Sequence, residues 1–223
     1  MCYSDHTRAM LTNSDIIYYL VYGTCLIFSF RARGVNIPGL VYLRLILSLG
    51  LVNEMVVESL QYLHKEENPS NYIYIPIEYL LLVLFYSQNT HKKRFRKALY
   101  LSIPLYMIVT VLFIVYRYHF KGYPSAIYNV SCLLNTIWLV RLFLDIEVVD
   151  HLPVFKLPLF WLYTALLIFY SGLFFFNGAY GFFVDHDSKI AESLRGYIAL
   201  GLNYILYSVL TYAFICSRAM KKY

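Results

Sequence analysis

The chain alternates seven runs of apolar residues with short charged breaks, and this alternation constrains its fold more than any other feature. The runs cover residues 16–30, 40–63, 72–87, 99–116, 125–144, 158–183 and 194–216. A helix needs about 20 mostly apolar residues to cross the hydrocarbon layer of a bilayer. Only 14% of the 223 residues are charged, against roughly 25% in soluble domains. The pattern therefore predicts an all-α fold, a polytopic transmembrane bundle of seven helices in which residues 1–223 form a single domain.

Lysine and arginine are divided unevenly between the alternate breaks. Thirteen of the 19 fall on the side of the C-terminus and six on the other side, and cytoplasmic loops are the ones enriched in these residues. We therefore expect the N-terminus outside, the C-terminus in the cytoplasm, and a multi-pass location in the inner (plasma) membrane of the cell. The net charge of +6 has the same origin, so no nucleic-acid partner is expected. The densest basic run, residues 92–97, is interpreted as a topology signal, with contact to anionic lipids or to a partner as the alternative.

Three glutamates lie inside the runs, where a charged side chain costs roughly 2.5 to 3.5 kcal/mol at the bilayer centre. Glu54 and Glu58 are four residues apart and share one face of the second helix, and Glu78 lies in the third run at about the depth of Glu54. This predicts an outward-facing cavity, lined by these acids, that binds a cation, a proton or a small basic or polar ligand. In the alternative interpretation, the acids are protonated or hydrogen-bonded to Asn and Tyr side chains and only fix the packing of the helices.

Further polar side chains within the runs are expected to face the interior beside the acids. The candidate ligand-binding or cation-binding residues are Glu54, Glu78, Glu58, Asn53, Asn129, Asn135, Tyr170, Asn177 and Asn203. A stripe in the seventh run should also face inward; it consists of Tyr197, Gly201, Tyr204, Ser208 and Thr211. Gly172 and Gly201 are expected to let helices approach closely, whereas most of the 24 tyrosines are expected to anchor helix ends in the headgroup layer.

Four short strings carry a resemblance to known proteins. They are IPIEYLLL at residues 75–82, PLFW at 158–161, LLIFYSG at 166–172 and LNYILY at 202–207. With these strings, residues 40–216 resemble an uncharacterised group of small seven-helix bacterial integral membrane proteins of the Bacteroidetes type. The resemblance implies seven spans and an inner-membrane location, and it carries no activity over. Glu58 and Arg141 have no counterpart in it.

These features favour a receptor-like or sensory membrane protein whose acidic cavity takes a ligand from outside and which signals through a separate cytoplasmic partner. The alternative is a cation or small-molecule channel, a transporter or a membrane-perturbing effector, in which the same acids line a path. The expected partners are the lipid bilayer, a small-molecule or cation ligand, the cytoplasmic signalling partner and, in a homo-oligomer, further copies of this chain. All six histidines lie in breaks or tails, so no catalytic residue, cofactor or metal is assigned, and enzymatic activity is left open although it is not favoured.

Overall fold

The computed structural model describes residues 13–32, 37–62, 68–119, 124–146, 154–186 and 188–219, and within these ranges the regular structure is entirely helical. Seven long helices follow one another in the order of the seven apolar runs. They are α1 (Asn13–Arg31), α2 (Leu40–Tyr62), α3 (Asn68–Gln88), α4 (Lys93–Phe113), α5 (Ser125–Phe143), α6 (Pro158–His186) and α7 (Ser188–Ala219). A π-helical turn, Ile114–Tyr118, continues α4, and a 3-10 turn, Val154–Lys156, precedes α6. The prediction of an all-α fold with seven helices is confirmed.

Several helices extend beyond the apolar runs that predict them. α3 begins at Asn68 where the run begins at residue 72, and α4 begins at Lys93 where the run begins at residue 99. α7 begins at Ser188, six residues before its run. The apolar run marks the part of a helix that suits hydrocarbon, whereas backbone hydrogen bonds continue into polar residues as long as nothing interrupts them.

Five helices are long and apolar enough to cross a membrane. The stretches are Leu40–Leu60, Lys93–Arg117, Ser125–Phe143, Pro158–Ala179 and Tyr197–Cys216, and α1 adds a shorter apolar stretch, Ile16–Arg31. The outer surface of the bundle is also apolar: on α4, Leu101 is 70% exposed and Leu105 is 60% exposed, whereas Ser102, Tyr106 and Thr110 are buried. A helix that turns its apolar side outward and its polar side inward is suited to lipid and not to water. The chain is therefore a membrane protein.

The helices form a closed ring with one helix outside it. Around the ring, α1 contacts α2, α2 contacts α3, α3 contacts α5, α5 contacts α6, α6 contacts α7, and α7 contacts α1 again. α4 packs outside the ring against α3 and α5. The ring order therefore places α2 and α3, which carry the glutamates, opposite α6 and α7.

Tyrosine fills much of the interior. The tyrosines with almost no exposed surface are Tyr22, Tyr79, Tyr86, Tyr106, Tyr163 and Tyr170. Buried hydroxyls need partners: Tyr79 Oη donates to Ser102 Oγ at 2.8 Å, and Tyr106 Oη donates to the carbonyl of Ile127 at 3.2 Å. The expectation that tyrosines mostly anchor helix ends is therefore wrong for this set, because the rings pack between helices and bring hydroxyl groups into the core.

The predicted inward stripe on α7 is wrong at Tyr197 and Ser208, whereas Tyr204 packs against the core and its ring contacts that of Tyr18. Tyr197 is 75% exposed and Ser208 is exposed, whereas the buried residues of α7 are Leu206, Tyr207, Leu210, Ala213 and Phe214. The two faces differ by one residue, which is about 100° around an α-helix. Packing against α1 and α6 selects the face of α7 that turns inward, and the aromatic and aliphatic residues on that face outweigh the hydroxyl stripe.

Of the two glycines expected at close helix contacts, only Gly172 is at one. A Cβ atom added at Gly172 would lie 2.7 Å from Leu202 Cδ2 and 3.0 Å from Leu202 Cδ1, whereas a Cβ atom added at Gly201 would meet nothing within 4 Å. Gly172 on α6 thus lets the side chain of Leu202 on α7 approach the backbone.

A Gly172→Val variant should unfold in detergent at a lower temperature than the wild type. The branched side chain forces Leu202 or the α6–α7 distance to change, and overpacking of this kind costs about 1 to 3 kcal/mol. Gly201→Val is the matched control, since the same substitution at that site meets open space. The thermal midpoint of both variants, measured by loss of the monodisperse gel-filtration peak, tests this, and equal midpoints would contradict it.

Candidate functional site

A cavity of about 160 Å³ lies inside the ring of helices. Residues from α1, α2, α3, α5, α6 and α7 line it, so that every helix of the ring takes part. Five of the nine candidate residues are among them: Glu54, Glu78, Asn53, Tyr170 and Asn203. Both acids therefore line the same cavity, but they do not lie at one depth. The hydrogen bond between Asn53 and Asn71 sets the register of α2 against α3, and it places Glu78 opposite Ile46, about 12 Å along α2 from Glu54. The expectation of a common depth is wrong.

Glu78 is the more deeply buried of these acids. It lies on α3, its exposed fraction is 7%, and its Oε1 accepts a hydrogen bond of 2.9 Å from Tyr170 Oη on α6. Within the part of the chain that the structure describes, no hydrogen-bond donor contacts its Oε2. The ion pairs of these residues join Lys92 and Arg141 to Asp145, which is not an acid of the cavity. Glu78 thus offers a carboxyl oxygen to the cavity without a cationic side chain to neutralise it.

Glu54 has a comparable environment on α2. Its Oε1 accepts a hydrogen bond from Tyr18 Oη on α1, and its Oε2 is buried without a hydrogen-bond partner among the described residues. Each acid of the cavity is therefore held by one tyrosine from a different helix. The second carboxyl oxygen of each acid accepts no such hydrogen bond, so it is the atom that a ligand can contact.

Tyrosine rings and hydroxyls form the middle of the cavity. Tyr22 Oη donates to the carbonyl of Leu47 at 2.7 Å, and the Tyr22 ring stacks on the Tyr207 ring at 4.1 Å with 15° between the planes. A Cβ atom added at Gly50 would lie 2.5 Å from Tyr22 Oη and 2.9 Å from Tyr74 Oη, so both hydroxyls converge over this glycine. The absence of a side chain at Gly50 is what makes room for them.

The cavity is polar at one end and apolar at the other. Asn53 Nδ2 donates to Asn71 Oδ1 at 3.3 Å at the end that carries Glu54. Eleven residues earlier on α2, a distance of about 17 Å along the helix, Leu43 lines the opposite end together with Leu166 and Leu210. Beyond these leucines the interior is filled by buried aromatic side chains.

The aromatic layer beyond the leucines comes from the ends of three helices. Phe85, near the end of α3, contacts Tyr163, near the start of α6, with 6.4 Å between ring centroids, and Phe214 near the end of α7 is fully buried. These positions are all on the side where α2 begins. The described residues therefore close the cavity on that side with large side chains.

Four of the nine candidate residues do not line the cavity: Glu58, Asn129, Asn135 and Asn177. Placing Glu58 in the cavity was wrong, because its side chain is exposed and accepts a hydrogen bond from Tyr19, one position further along α1 than the partner of Glu54. Asn135 is fully buried and its Nδ2 donates to Ser131 Oγ at 3.2 Å on its own helix. Buried atoms of Asn129 and Asn177 have no hydrogen-bond partner among the described residues, and the structure gives no physical account of them.

Five tyrosines that complete the site were not among the candidate residues. Each of them holds an acid or lines the cavity: Tyr18, Tyr22, Tyr74, Tyr128 and Tyr207. One signal was available for two of them, because Tyr18 and Tyr22 are four residues apart and share one face of α1. The other three carry no comparable signal, since the same residue type also marks helix ends.

The site combines two carboxyl groups, phenol hydroxyls, amide groups and ring faces. Groups of these kinds can contact a small positively charged group. Among the residues that the structure describes, no group of three or more His, Cys, Asp or Glu side chains is placed to hold a metal ion. A comparison with known proteins returned no match: no protein-family model, no curated protein and no solved structure is similar to the chain at a significant level. The resemblance to small bacterial seven-helix proteins stays a prediction.

Proposed function

We propose that the protein is a receptor-like membrane protein that binds a small cationic ligand in the cavity between Glu54 and Glu78. In this proposal all seven helices span the inner membrane, the N-terminus is outside and the C-terminus is cytoplasmic. The ligand enters from the outer side, and the resulting shift of helices is passed to a separate cytoplasmic partner. The observation that carries the proposal is that both acids line one cavity and each has an oxygen without a partner among the described residues.

The charge of the ligand follows from the cost of burying acids. A carboxylate removed from water needs a cation or several hydrogen bonds to offset the loss of hydration. Each acid here has one hydrogen bond from a tyrosine, and the neighbouring ring faces of Tyr22 and Tyr207 add the negative side of an aromatic quadrupole. A bound ammonium group would supply the missing charge at Glu78, whose other oxygen is held by Tyr170.

The size of the ligand follows from the volume of the cavity. A cavity of about 150 Å³ holds one benzene molecule in another protein, and this one measures about 160 Å³. Leu43 and Leu166, which line the cavity beyond Glu78, would contact an apolar body while Glu78 contacts the charge. A compact amine such as cyclohexylammonium is therefore a suitable probe, and cyclohexanol, which has the same shape without the charge, is its matched neutral control.

The wild-type protein in detergent should be stabilised by cyclohexylammonium and not by cyclohexanol. A ligand that binds only the folded state raises stability by about 2.7 kcal/mol at one hundred times its dissociation constant. The thermal midpoint measured over a concentration series of each compound, at constant ionic strength, checks this. Equal shifts with both compounds would remove the role of charge, and no shift with any small amine would remove the proposed site.

The closed end of the cavity favours a receptor over a channel. Conduction needs a continuous polar path, whereas leucines and then aromatic rings follow the acids toward the start of α2. Because every helix of the ring lines the cavity, a ligand held between α2 and α3 and contacting α6 and α7 can favour one arrangement of the helices over another.

Proteoliposomes containing the protein should show no more cation flux than empty vesicles. The wild type is compared with a Glu54→Gln and Glu78→Gln double variant, using a potassium-sensitive dye inside the vesicles. Flux in the wild type that disappears in the double variant would replace the receptor proposal with that of a channel. Orientation is checked separately with a Lys222→Cys variant in which the four native cysteines are replaced, by whether its label is quenched from the cytoplasmic side only.

A further inference from the structure

A second site of opposite charge lies at the other end of the bundle. Lys92, Lys93, Arg94 and Phe95, around the start of α4, line an open hollow of about 530 Å³ together with Arg141 near the end of α5. Four of these five residues are basic. The hollow is separate from the acidic cavity and shares no lining residue with it.

The charges around this hollow are only partly balanced. Asp145 Oδ1 accepts Lys92 Nζ at 2.7 Å and lies 3.4 Å from Arg141 Nη2, so that one carboxylate serves two cations. Lys93 and Arg94 are exposed and have no ion-pair partner within the described ranges. Four cations against one anion leave an excess of positive charge on one side of the hollow.

The position of these cations on α4 makes the excess more unfavourable. Lys93 and Arg94 are the first residues of the helix, and the side chain of Lys92 before them makes no capping hydrogen bond. The helix dipole favours anions at this end and disfavours cations. Like charges that share a hollow at the positive end of a helix favour the binding of an anion there.

The level of the hollow indicates where the anion comes from. The basic residues at the start of α4 come just before its apolar run, which begins at residue 99, so the hollow lies outside the hydrocarbon at the level of the headgroups. Phe95 contacts Trp138 with 5.7 Å between ring centroids, which provides an aromatic surface beside the basic groups, as is common at membrane interfaces. The phosphate groups of lipids are the anions concentrated at this depth.

We infer that the basic hollow formed by Lys92, Lys93, Arg94, Phe95 and Arg141 binds the headgroup of an anionic phospholipid. Lys93 and Arg94 donate to the phosphate oxygens, because charge-assisted hydrogen bonds of this kind are stronger than neutral ones. Phe95 and Trp138 contact the upper part of the acyl chains. The lipid thereby joins the start of α4, the helix outside the ring, to the end of α5.

Native mass spectrometry of the purified protein tests this with two lipids of the same chain length. Phosphatidylglycerol should be retained in a one-to-one complex at least about tenfold more tightly than phosphatidylcholine, which carries no net charge. A Lys93→Gln and Arg94→Gln double variant should bind phosphatidylglycerol about thirtyfold more weakly, since each cation near anionic lipid contributes roughly fivefold. Lys93→Arg combined with Arg94→Lys keeps both charges and should retain the lipid.

Lys97→Gln is the matched control, because Lys97 lies one turn further along α4, is exposed and does not line the hollow. Its affinity for phosphatidylglycerol should stay within about twofold of the wild type, given that non-lining charges act only through screened attraction. An equal loss of affinity for phosphatidylglycerol in Lys97→Gln and in either single variant, Lys93→Gln or Arg94→Gln, would overturn the inference in favour of diffuse surface attraction. Displacement of the lipid by about 10 mM glycerol phosphate, the excess needed for a weak soluble competitor, would overturn it in favour of a soluble anion.

Discussion

A Glu78→Gln variant is expected to bind cyclohexylammonium at least about tenfold more weakly than the wild type, because a hydrogen bond to a charged group contributes about 1.5 to 3 kcal/mol. Glutamine has nearly the same shape, and its carbonyl oxygen can still accept the hydrogen bond that Tyr170 Oη donates to Glu78. The variant therefore removes one of the two acids of the cavity and leaves the packing in place. Isothermal titration of the detergent-solubilised protein gives the two dissociation constants directly.

Glu58→Gln provides the matched control for this experiment. Glu58 is four residues from Glu54 on the same helix and also accepts a hydrogen bond from a tyrosine of α1, but its side chain is exposed and does not line the cavity. Its substitution should leave the dissociation constant within about twofold, since an exposed charge is screened by solvent and salt. Similar losses in both variants would show that the amine responds to surface charge, and the proposed cavity would lose its support.

The seven helices could be predicted because the bilayer imposes a length and a polarity on every segment that crosses it. The helix ends were harder to predict. α7 starts at Ser188, six residues before its apolar run, because polar residues can also continue a helix. The inward face of α7 was misjudged for a related reason. Hydroxyl groups satisfy themselves on their own helix, as Thr211 Oγ1 does by donating to the carbonyl of Tyr207 at 2.7 Å, so a polar stripe does not have to face the interior.

The acids of the site could be predicted, but their partners could not. Glu54 and Glu78 follow from the cost of charge in hydrocarbon, although their relative depth does not. The tyrosines that hold them are 36 and 92 residues away in the chain, on helices whose proximity depends on the order around the ring. That order is a property of tertiary packing, and the apolar runs carry little information about it.

Gly50 provides a test of the cavity that changes no charge and no hydrogen-bonding group. In water-soluble helices, replacing glycine with alanine within a helix is favourable by about 1 kcal/mol. A Gly50→Ala variant is nevertheless expected to be less stable than the wild type, because the new Cβ atom would lie 2.5 Å from Tyr22 Oη and 2.9 Å from Tyr74 Oη. Both hydroxyls have to move away from α2.

The movement of Tyr22 has two consequences. Its hydroxyl loses the hydrogen bond to the carbonyl of Leu47, and leaving a buried polar group without a partner costs about 1 to 3 kcal/mol. Its ring also leaves the stacked position on Tyr207, which removes part of the surface that would contact an ammonium group. We expect a lower thermal midpoint together with at least about fivefold weaker binding of cyclohexylammonium, from loss of a cation–π contact worth about 1 kcal/mol.

Gly23→Ala is the control, because it places the same substitution next to Tyr22, at a position where an added Cβ atom meets nothing within 4 Å. This variant should be as stable as the wild type or more stable, with unchanged binding.

Tyr22→Phe separates the two consequences of moving Tyr22. It removes the hydroxyl, which is the atom of Tyr22 that a Cβ atom at Gly50 would meet, and it keeps the ring. In the Tyr22→Phe background, Gly50→Ala should cost less than it does in the wild type, because only Tyr74 Oη then stands in the way. If Gly50→Ala instead raises the thermal midpoint and leaves binding unchanged in the wild-type background, the tyrosine hydroxyls do not converge over this glycine and the middle of the cavity has a different shape.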